Sequence, residues 1–231
     1  SQILSASVNN HMWIGGLSQF DYKANEKWNI AGGIDYRWYK GTHYTEVVDL
    51  LGGDYFVSQT NQNASTPMMV VGDKISDAAK PYQNHRDGFV QWAGAFGQAE
   101  YSYGRWTAFV NVSAVSTWYQ GVDYFRKKQM KLADTTLEIG YGESVMYDSV
   151  TYWYRSEGLE YNKTGWITEF GGTFKAGANY NVTEKSNVFV NVGYLSRTPQ
   201  FSNVVDNTTN TFFKEILNEN ITAFEAGYGF R

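Results

Sequence analysis

From Trp166 to Tyr180 the even positions are Trp166, Thr168, Phe170, Gly172, Phe174, Ala176, Ala178 and Tyr180, while the odd positions include Glu169, Thr173, Lys175 and Asn179. Successive side chains of a strand point to opposite faces. The segment therefore predicts one long strand with an apolar face and a polar face. Strands of soluble domains run to about five or six residues. A run of roughly fifteen, ending in aromatics, fits a strand that crosses a bilayer at a tilt. The alternation returns in 28–38 (Trp28, Ile30, Gly32, Ile34, Tyr36, Trp38 against Asn29, Asp35, Arg37) and in 106–118 (Trp106 to Trp118 against Arg105, Thr107, Asn111, Ser113, Thr117). It is also present in 188–194 and 224–230, where Glu225 and, further on, Arg197 sit on the polar parity. Segments 12–22 and 89–103 alternate less cleanly, with Gln98 and Glu100 on the polar side of the second.

The ends of these runs carry the tryptophans. Trp106 and Trp118 share one face, and at about 3.3 Å per residue with a tilt near 40–45° they stand roughly 28–30 Å apart along a membrane normal. That approaches an apolar band of about 25 Å with an aromatic girdle at each edge. Trp28 and Trp38 give a slightly shorter span, and Trp166 and Tyr180 are the corresponding girdle candidates of their strand. The predicted class is all-β: a transmembrane antiparallel β-barrel, of which about seven strands are visible.

Composition changes this picture little. The 231 residues include 18 Tyr, 14 Phe and 8 Trp, only 3 Pro, and no Cys, with a formal net charge of −4. The absence of cysteine removes disulfides and thiolate metal sites. Mean hydropathy is −0.45, and no stretch approaches the roughly eighteen apolar residues of a membrane-spanning helix. Slight acidity argues against a nucleic-acid partner. The opening Ser1-Gln2-Ile3-Leu4 lacks a basic and apolar leader, and the last residues are still alternating. Together with the odd strand count, this predicts a piece of a larger barrel spanning 1–231.

Connections alternate in length. Short polar turns are predicted at 23–27, 103–105 and 181–186, and long segments at about 41–88, 124–165 and 199–219. Outer-membrane barrels show this asymmetry, with tight periplasmic turns and long extracellular loops. Within the long segments, Val47, Val48, Leu50 and Leu51 before Gly52-Gly53 predict one or two helical turns ending in a glycine cap. A second short helical turn is expected in Thr211–Leu217.

Two segments go beyond a generic barrel. Val188–Pro199, with Gly193-Tyr194 followed by Arg197-Thr198-Pro199, resembles the TonB-dependent receptor strand that ends in a Gly-aromatic and Arg-Ala-Pro pattern; Thr198 here replaces the usual Ala. Asn218–Phe230, with Glu225-Ala226-Gly227, looks like that family's next strand, and Phe174–Tyr180 is similar to the strand before both. The resemblance covers the last third of the chain. It implies the middle portion of a barrel of about 22 strands that houses a plug domain. It further implies an outer-membrane location and energy coupling through the TonB complex. The ligand it implies is a scarce nutrient such as a siderophore, haem, cobalamin, a glycan or a peptide, with a surface lipoprotein as a further partner. Nothing in this chain resembles the plug or the TonB-contacting segment.

The chemistry-bearing residues point away from an enzyme. His11, His43 and His85 form no metal-ligand spacing, and Ser144 lacks the glycines of a nucleophile elbow. No metal and no cofactor is expected; among Asp49, Asp54, Asp73 and Asp77 there is no EF-type spacing. The polar parity predicts a lumen-facing set: Asp35, Arg37, Glu100, Glu169, Lys175, Arg197 and Glu225. These either pair within the wall and with a plug or form a substrate path. The loop aromatics Tyr55, Tyr147, Tyr152, Trp153 and Tyr154 are ligand-contact candidates, with packing inside the loops as the alternative. Two rival readings stand beside the receptor: a passive porin-like or structural barrel, and a soluble β-rich glycan-binding protein. The last predicts Trp106 and Trp118 inside a core.

Overall fold

The computed structural model describes residues 2–72 and 81–231. Seven long strands run in chain order: β1 (Leu4–Lys23), β2 (Trp28–Asp49), β3 (His85–Tyr103), β4 (Trp106–Asp123), β5 (Ile167–Asn181), β6 (Ser186–Arg197) and β7 (Glu219–Phe230). Each pairs antiparallel with the next, so the sheet is an up-and-down meander; the two-residue strand Asn162–Lys163 adds to the far end of β4. β1 and β7 are its edges among the described residues. All seven predicted strands are present, and the three short turns fall where the polarity placed them. In the first, Asn25 Oδ1 accepts the backbone N–H groups of Lys27 and Trp28 at 2.8 and 3.1 Å. The second reverses through Gly104 at φ 59°, which matches the positive φ that two-residue hairpin turns require.

Register sorts the two faces. Residues directly opposite one another share a face in an antiparallel pair. Trp28↔Tyr101, Val110↔Ala99 and Val112↔Phe174 place the apolar parity of neighbouring strands on one side. Trp38↔Gln91 and Gln91↔Trp118 bring the far tryptophans into one row. At the short-turn end, Tyr103↔Trp106, Trp106↔Tyr180 and Val188↔Tyr228 form the opposite row. Trp106 and Tyr180 rings meet at 4.6 Å, and Trp28 and Tyr101 at 4.9 Å. Trp166 stands one residue outside β5 and is exposed.

Among the described residues, no second layer covers the apolar face. Ile34, Phe170 and Phe224 expose 63%, 71% and 73% of their surface. Trp106 is also exposed rather than enclosed, against the expectation of a soluble domain. Soluble proteins rarely expose contiguous apolar patches beyond a few hundred Å². The small clusters of buried residues lie instead at the long-loop end: Val47, Leu50 and Val70; Tyr119, Val204 and Val205; Met130, Leu137 and Ile139. Among the described residues no helix is long and apolar enough to cross a membrane.

On the polar face, a ring repeatedly lies over the glycine opposite it: Phe96 over Gly33, Phe109 over Gly177 and Phe189 over Gly227. A Cβ added at Gly33 would sit 2.7 Å from Phe96 Cζ, and one at Gly177 2.5 Å from Phe109 Cε1. Such cross-strand covering of glycines helps pin register in a curved sheet.

Both predicted helical turns are absent. β2 continues as strand to Asp49, because β1 is long enough to pair with it through Ser5↔Val47 and Val8↔Tyr44. Val47 and Val48 are β-branched and favour that pairing. Reversal follows at Leu51 and Gly52, with φ 50° and 84°. In the third long segment, Thr211–Phe212 pairs with Val205–Asp206, and the helical piece there is the 3-10 turn Phe201–Asn203. The strands also overrun their predicted ends, so the first long connection narrows to 50–84.

A charge on the apolar face meets lipid, whereas one on the polar face meets water. Val110→Arg is expected to cost about 2–4 kcal/mol near the midplane and to abolish assembly, while Asn111→Arg assembles normally. Heat-modifiable gel mobility of outer-membrane fractions checks this; equal effects would overturn the facing.

Candidate functional site

The lumen candidates share the polar face. Through the register Asp35↔Gly94, Arg37↔Trp92↔Thr117↔Glu169, Gln98↔Asn111↔Lys175 and Asn191↔Glu225, six strands contribute to one polar wall. Its pairing is largely local. Asp35 lies 3.9 Å from Arg37 and accepts Trp92 Nε1 at 2.9 Å. Asn191 Nδ2 donates to Glu225 at 3.0 Å, and Arg197 pairs with Glu219 at 2.6 Å. Glu100 accepts from Gln98 Nε2 at 2.5 Å. Lys175 is exposed and Glu169 half-buried.

The loop aromatics divide. Tyr147 and Tyr152 stand on the hairpin Ser144–Tyr147/Val150–Trp153, closed through Asp148 and Ser149 at φ 49° and 64°. Positive φ at both central residues is the type I′ geometry that matches strand twist. Tyr147, Tyr152 and Tyr154 pack against Met130, Leu137 and Ile139. The Tyr147 hydroxyl donates to Asp134 at 2.5 Å. Trp153 is exposed, edge-on to Tyr154 at 5.4 Å. Tyr55 lies apart on the hairpin Tyr55–Ser58/Met68–Val71 and is also exposed. Asp73 and Asp77 lie outside the described residues, and Asp49 accepts the N–H of Leu51.

The loops interlock. Asn63 Nδ2 donates to the carbonyls of Tyr124 and Arg126, and Gln62 exchanges backbone bonds with Phe125 and Tyr141 at 2.8 Å each. At their base, on the apolar-parity face above the Trp38 row, Asp87 is buried. It receives Lys40 Nζ at 2.8 Å, Thr42 Oγ1 at 2.7 Å and the Tyr124 hydroxyl at 2.6 Å. Burial first, then that bond to a carboxylate, push the Tyr124 phenol well up. In the second loop, Lys127 and the Gly140 N–H hold Glu143 below the usual carboxylate range.

The third loop turns the other way, onto the polar wall. Val204 and Val205 are buried against Tyr119, whose hydroxyl donates to the Pro199 carbonyl at 2.7 Å. Phe201 lies over Gly88, and Asn210 over Gly121, where an added Cβ would meet Asn210 Oδ1 at 2.7 Å. Asn210 Nδ2 also bonds the carbonyl and side chain of Asn162. A cavity of about 430 Å³ remains between loop and wall, bordered by Ser7, His43, Arg86, Gln200 and Asn207 among others.

Sequence reasoning missed one cluster. Trp13, Tyr39 and Trp92, with His11 and His43, stand on the polar parity of three adjacent strands. Trp13 meets Tyr39 at 4.6 Å and Trp92 at 5.7 Å. An aromatic on the otherwise polar parity is the signal that marks them. Among the described residues, no group of three or more His, Asp or Glu is arranged to hold a metal.

A meander with one lipid-compatible face, one polar face and long loops at one end defines the class: an all-β, transmembrane antiparallel β-barrel sheet. Among solved structures the chain is similar to the copper transporter OprC, with a TM-score of 0.56 and 11% identity, over 98% of this chain and 29% of that one. At that identity the likeness is one of fold alone, and the chain spans less than a third of that protein's length. No family model and no curated sequence matches it.

The wall glycines make the third loop's seat. Gly121→Val is expected to lift the segment 200–216, read as faster hydrogen exchange and new proteolytic nicks there. Gly97→Ala, with nothing within 4 Å of the added Cβ, is expected to change neither.

Proposed function

We propose that this chain is part of an outer-membrane receptor and transporter that imports a scarce nutrient with energy supplied through TonB. The observation that carries the reading is the division of the sheet: an uncovered apolar face bounded by two aromatic rows, backed by a polar wall. Such a wall has a use only if it encloses water or a polar domain. The free edges β1 and β7 are then completed by further strands of a barrel of about 22, whose lumen holds a plug. The segments around Arg197-Thr198-Pro199 and Glu225-Ala226-Gly227 support the TonB assignment, and the fold likeness to a copper transporter supports a transport role. Under this reading the aromatic rows border outer-membrane lipid, and the three long loops face the cell exterior. The polar-wall charges and the exposed Trp153 and Tyr55 meet plug or ligand, and a surface lipoprotein is an accessory partner.

Impermeant thiol labels on intact cells test orientation. Cysteines replacing Thr60 and Val150 are expected to react, while those replacing Asn25 and Glu184 stay silent until the cells are lysed. The reverse pattern would sink the topology. Transport is tested by deleting the parent gene and comparing growth on limiting iron, cobalamin, glycan and peptide sources. Loss of growth on one source that is also lost without TonB supports the receptor. TonB-independent uptake would favour a passive pore.

A further inference from the structure

The ion pairs of the polar wall leave one of its features unexplained. Five rings run along β1, β2 and β3 in continuous contact. His43 meets His11 edge-on at 5.8 Å, His11 stacks on Tyr39 at 5.8 Å, Tyr39 meets Trp13 at 4.6 Å, and Trp13 meets Trp92 at 5.7 Å. The run starts at the cavity beneath the third loop, which His43 borders. It descends to the row of Arg37 and Trp92, one step below the Trp38–Trp118 row. It therefore occupies the long-loop half of the wall, at the mouth and not at mid-lumen. The run sets an apolar surface on the parity that elsewhere in these strands carries polar groups.

The polar groups interleaved with the rings are hydrogen-bonded or ion-paired among themselves. His11 Nδ1 and the Tyr39 hydroxyl share a bond of 2.6 Å, as do His43 Nδ1 and Asn9 Oδ1. Arg37 is matched by Asp35 and lies over the Trp92 ring at 5.0 Å, and Arg86 is matched by Asp123 at 3.1 Å. Among the described residues of the track, both cations, Arg37 and Arg86, have an acidic partner, and two imidazoles alone are a poor metal site. What the track offers is flat apolar surface edged by hydroxyl, imidazole and amide groups, the mixture that orients a ligand through a few polar contacts on an aromatic floor.

From this we infer that the His43–His11–Tyr39–Trp13–Trp92 track is the docking path of a neutral oligosaccharide, its sugar faces lying on the rings and its hydroxyls bonding their polar edges. The inference rests on the transporter reading and narrows its ligand. The third loop, seated beside the track by Phe201 and Asn210, forms the far side of the entry.

The test uses the full-length receptor in detergent, titrated calorimetrically and by tryptophan fluorescence with maltohexaose, cellohexaose and mannohexaose. At least one is expected to bind. Trp13→Ala is expected to weaken that binding about tenfold or more, the loss of roughly one stacking contact. Trp13→Tyr should stay within about threefold. All variants should keep heat-modifiable mobility, since Trp13 belongs to none of the buried clusters. Failure of all three sugars to bind, or equal affinity in Trp13→Ala, overturns the proposal. So does haem or a ferric catecholate occupying the track in their place. If the growth assay identifies a TonB-dependent iron source while no sugar binds, the track proposal fails and the receptor reading survives.

Discussion

Peptide groups in hydrocarbon have no water to bond, so each N–H and C=O of a spanning segment must find its partner within the protein. The meander meets this constraint with ladders of paired residues from Lys23↔Asn29 up to Ser5↔Val47, and likewise across the remaining strands. Much else follows from it. Strands must outlast the apolar band, turns at one end can be short, and the side chains between the ladders are sorted by solvent alone. The buried clusters are displaced to the loops because the lipid-facing side chains have no protein layer to pack against. Stability in the band then comes from the ladders and from cross-strand pairs such as Trp106 with Tyr180 and Phe109 with Gly177.

Where solvent is the sorting force, sequence parity is legible. Residues 28–38, 106–118 and 166–180 show their facing directly, and so do both aromatic rows. Legibility fails above the band. Between Lys40 and Asp49, both faces of β2 meet polar or loop surroundings, so the alternation loses contrast and a cluster of Val and Leu before two glycines reads as a helical turn. Only the length of β1, which supplies the partner ladder, decides that this stretch is strand. The third loop misleads for a related reason: the apolar side chains of Phe212 and Ile216 serve a cluster that includes Tyr119, a partner far away in sequence. The polar wall was legible as a set of charges, and its pairing was not, because pairing depends on register.

The long-loop end behaves as a second structural regime. Water is available there, and order comes from side-chain bonds that tie one loop to the next: Asn63 to the second loop, Arg126 Nη1 to the Thr208 carbonyl, Asn210 to Asn162. Asp87 anchors this region to the sheet on the outward side, and Tyr119 with Pro199 anchors the third loop on the inward side. The two anchors lie on opposite faces of β3 and β4, so the first two loops and the third grip the sheet from both sides. The mouth is thus built from small buried clusters of its own and from the bonds that tie loop to loop and loop to sheet.

The inner aromatics stand beside this mouth. A tryptophan on the outward parity needs no explanation, because lipid covers it. On the inward parity it faces water, and about 25 cal/mol per Å² of uncovered apolar surface weighs against it unless something covers it part of the time. Phe96, Phe109 and Phe189 meet the same difficulty by lying flat on glycines across the strand. Trp13 has no such glycine beneath it; its neighbours are Tyr39 and Trp92, themselves inward-facing rings. One set of inner aromatics is thus accounted for by the sheet's own register. The other is accounted for by no such glycine, and it runs up to the cavity under the third loop.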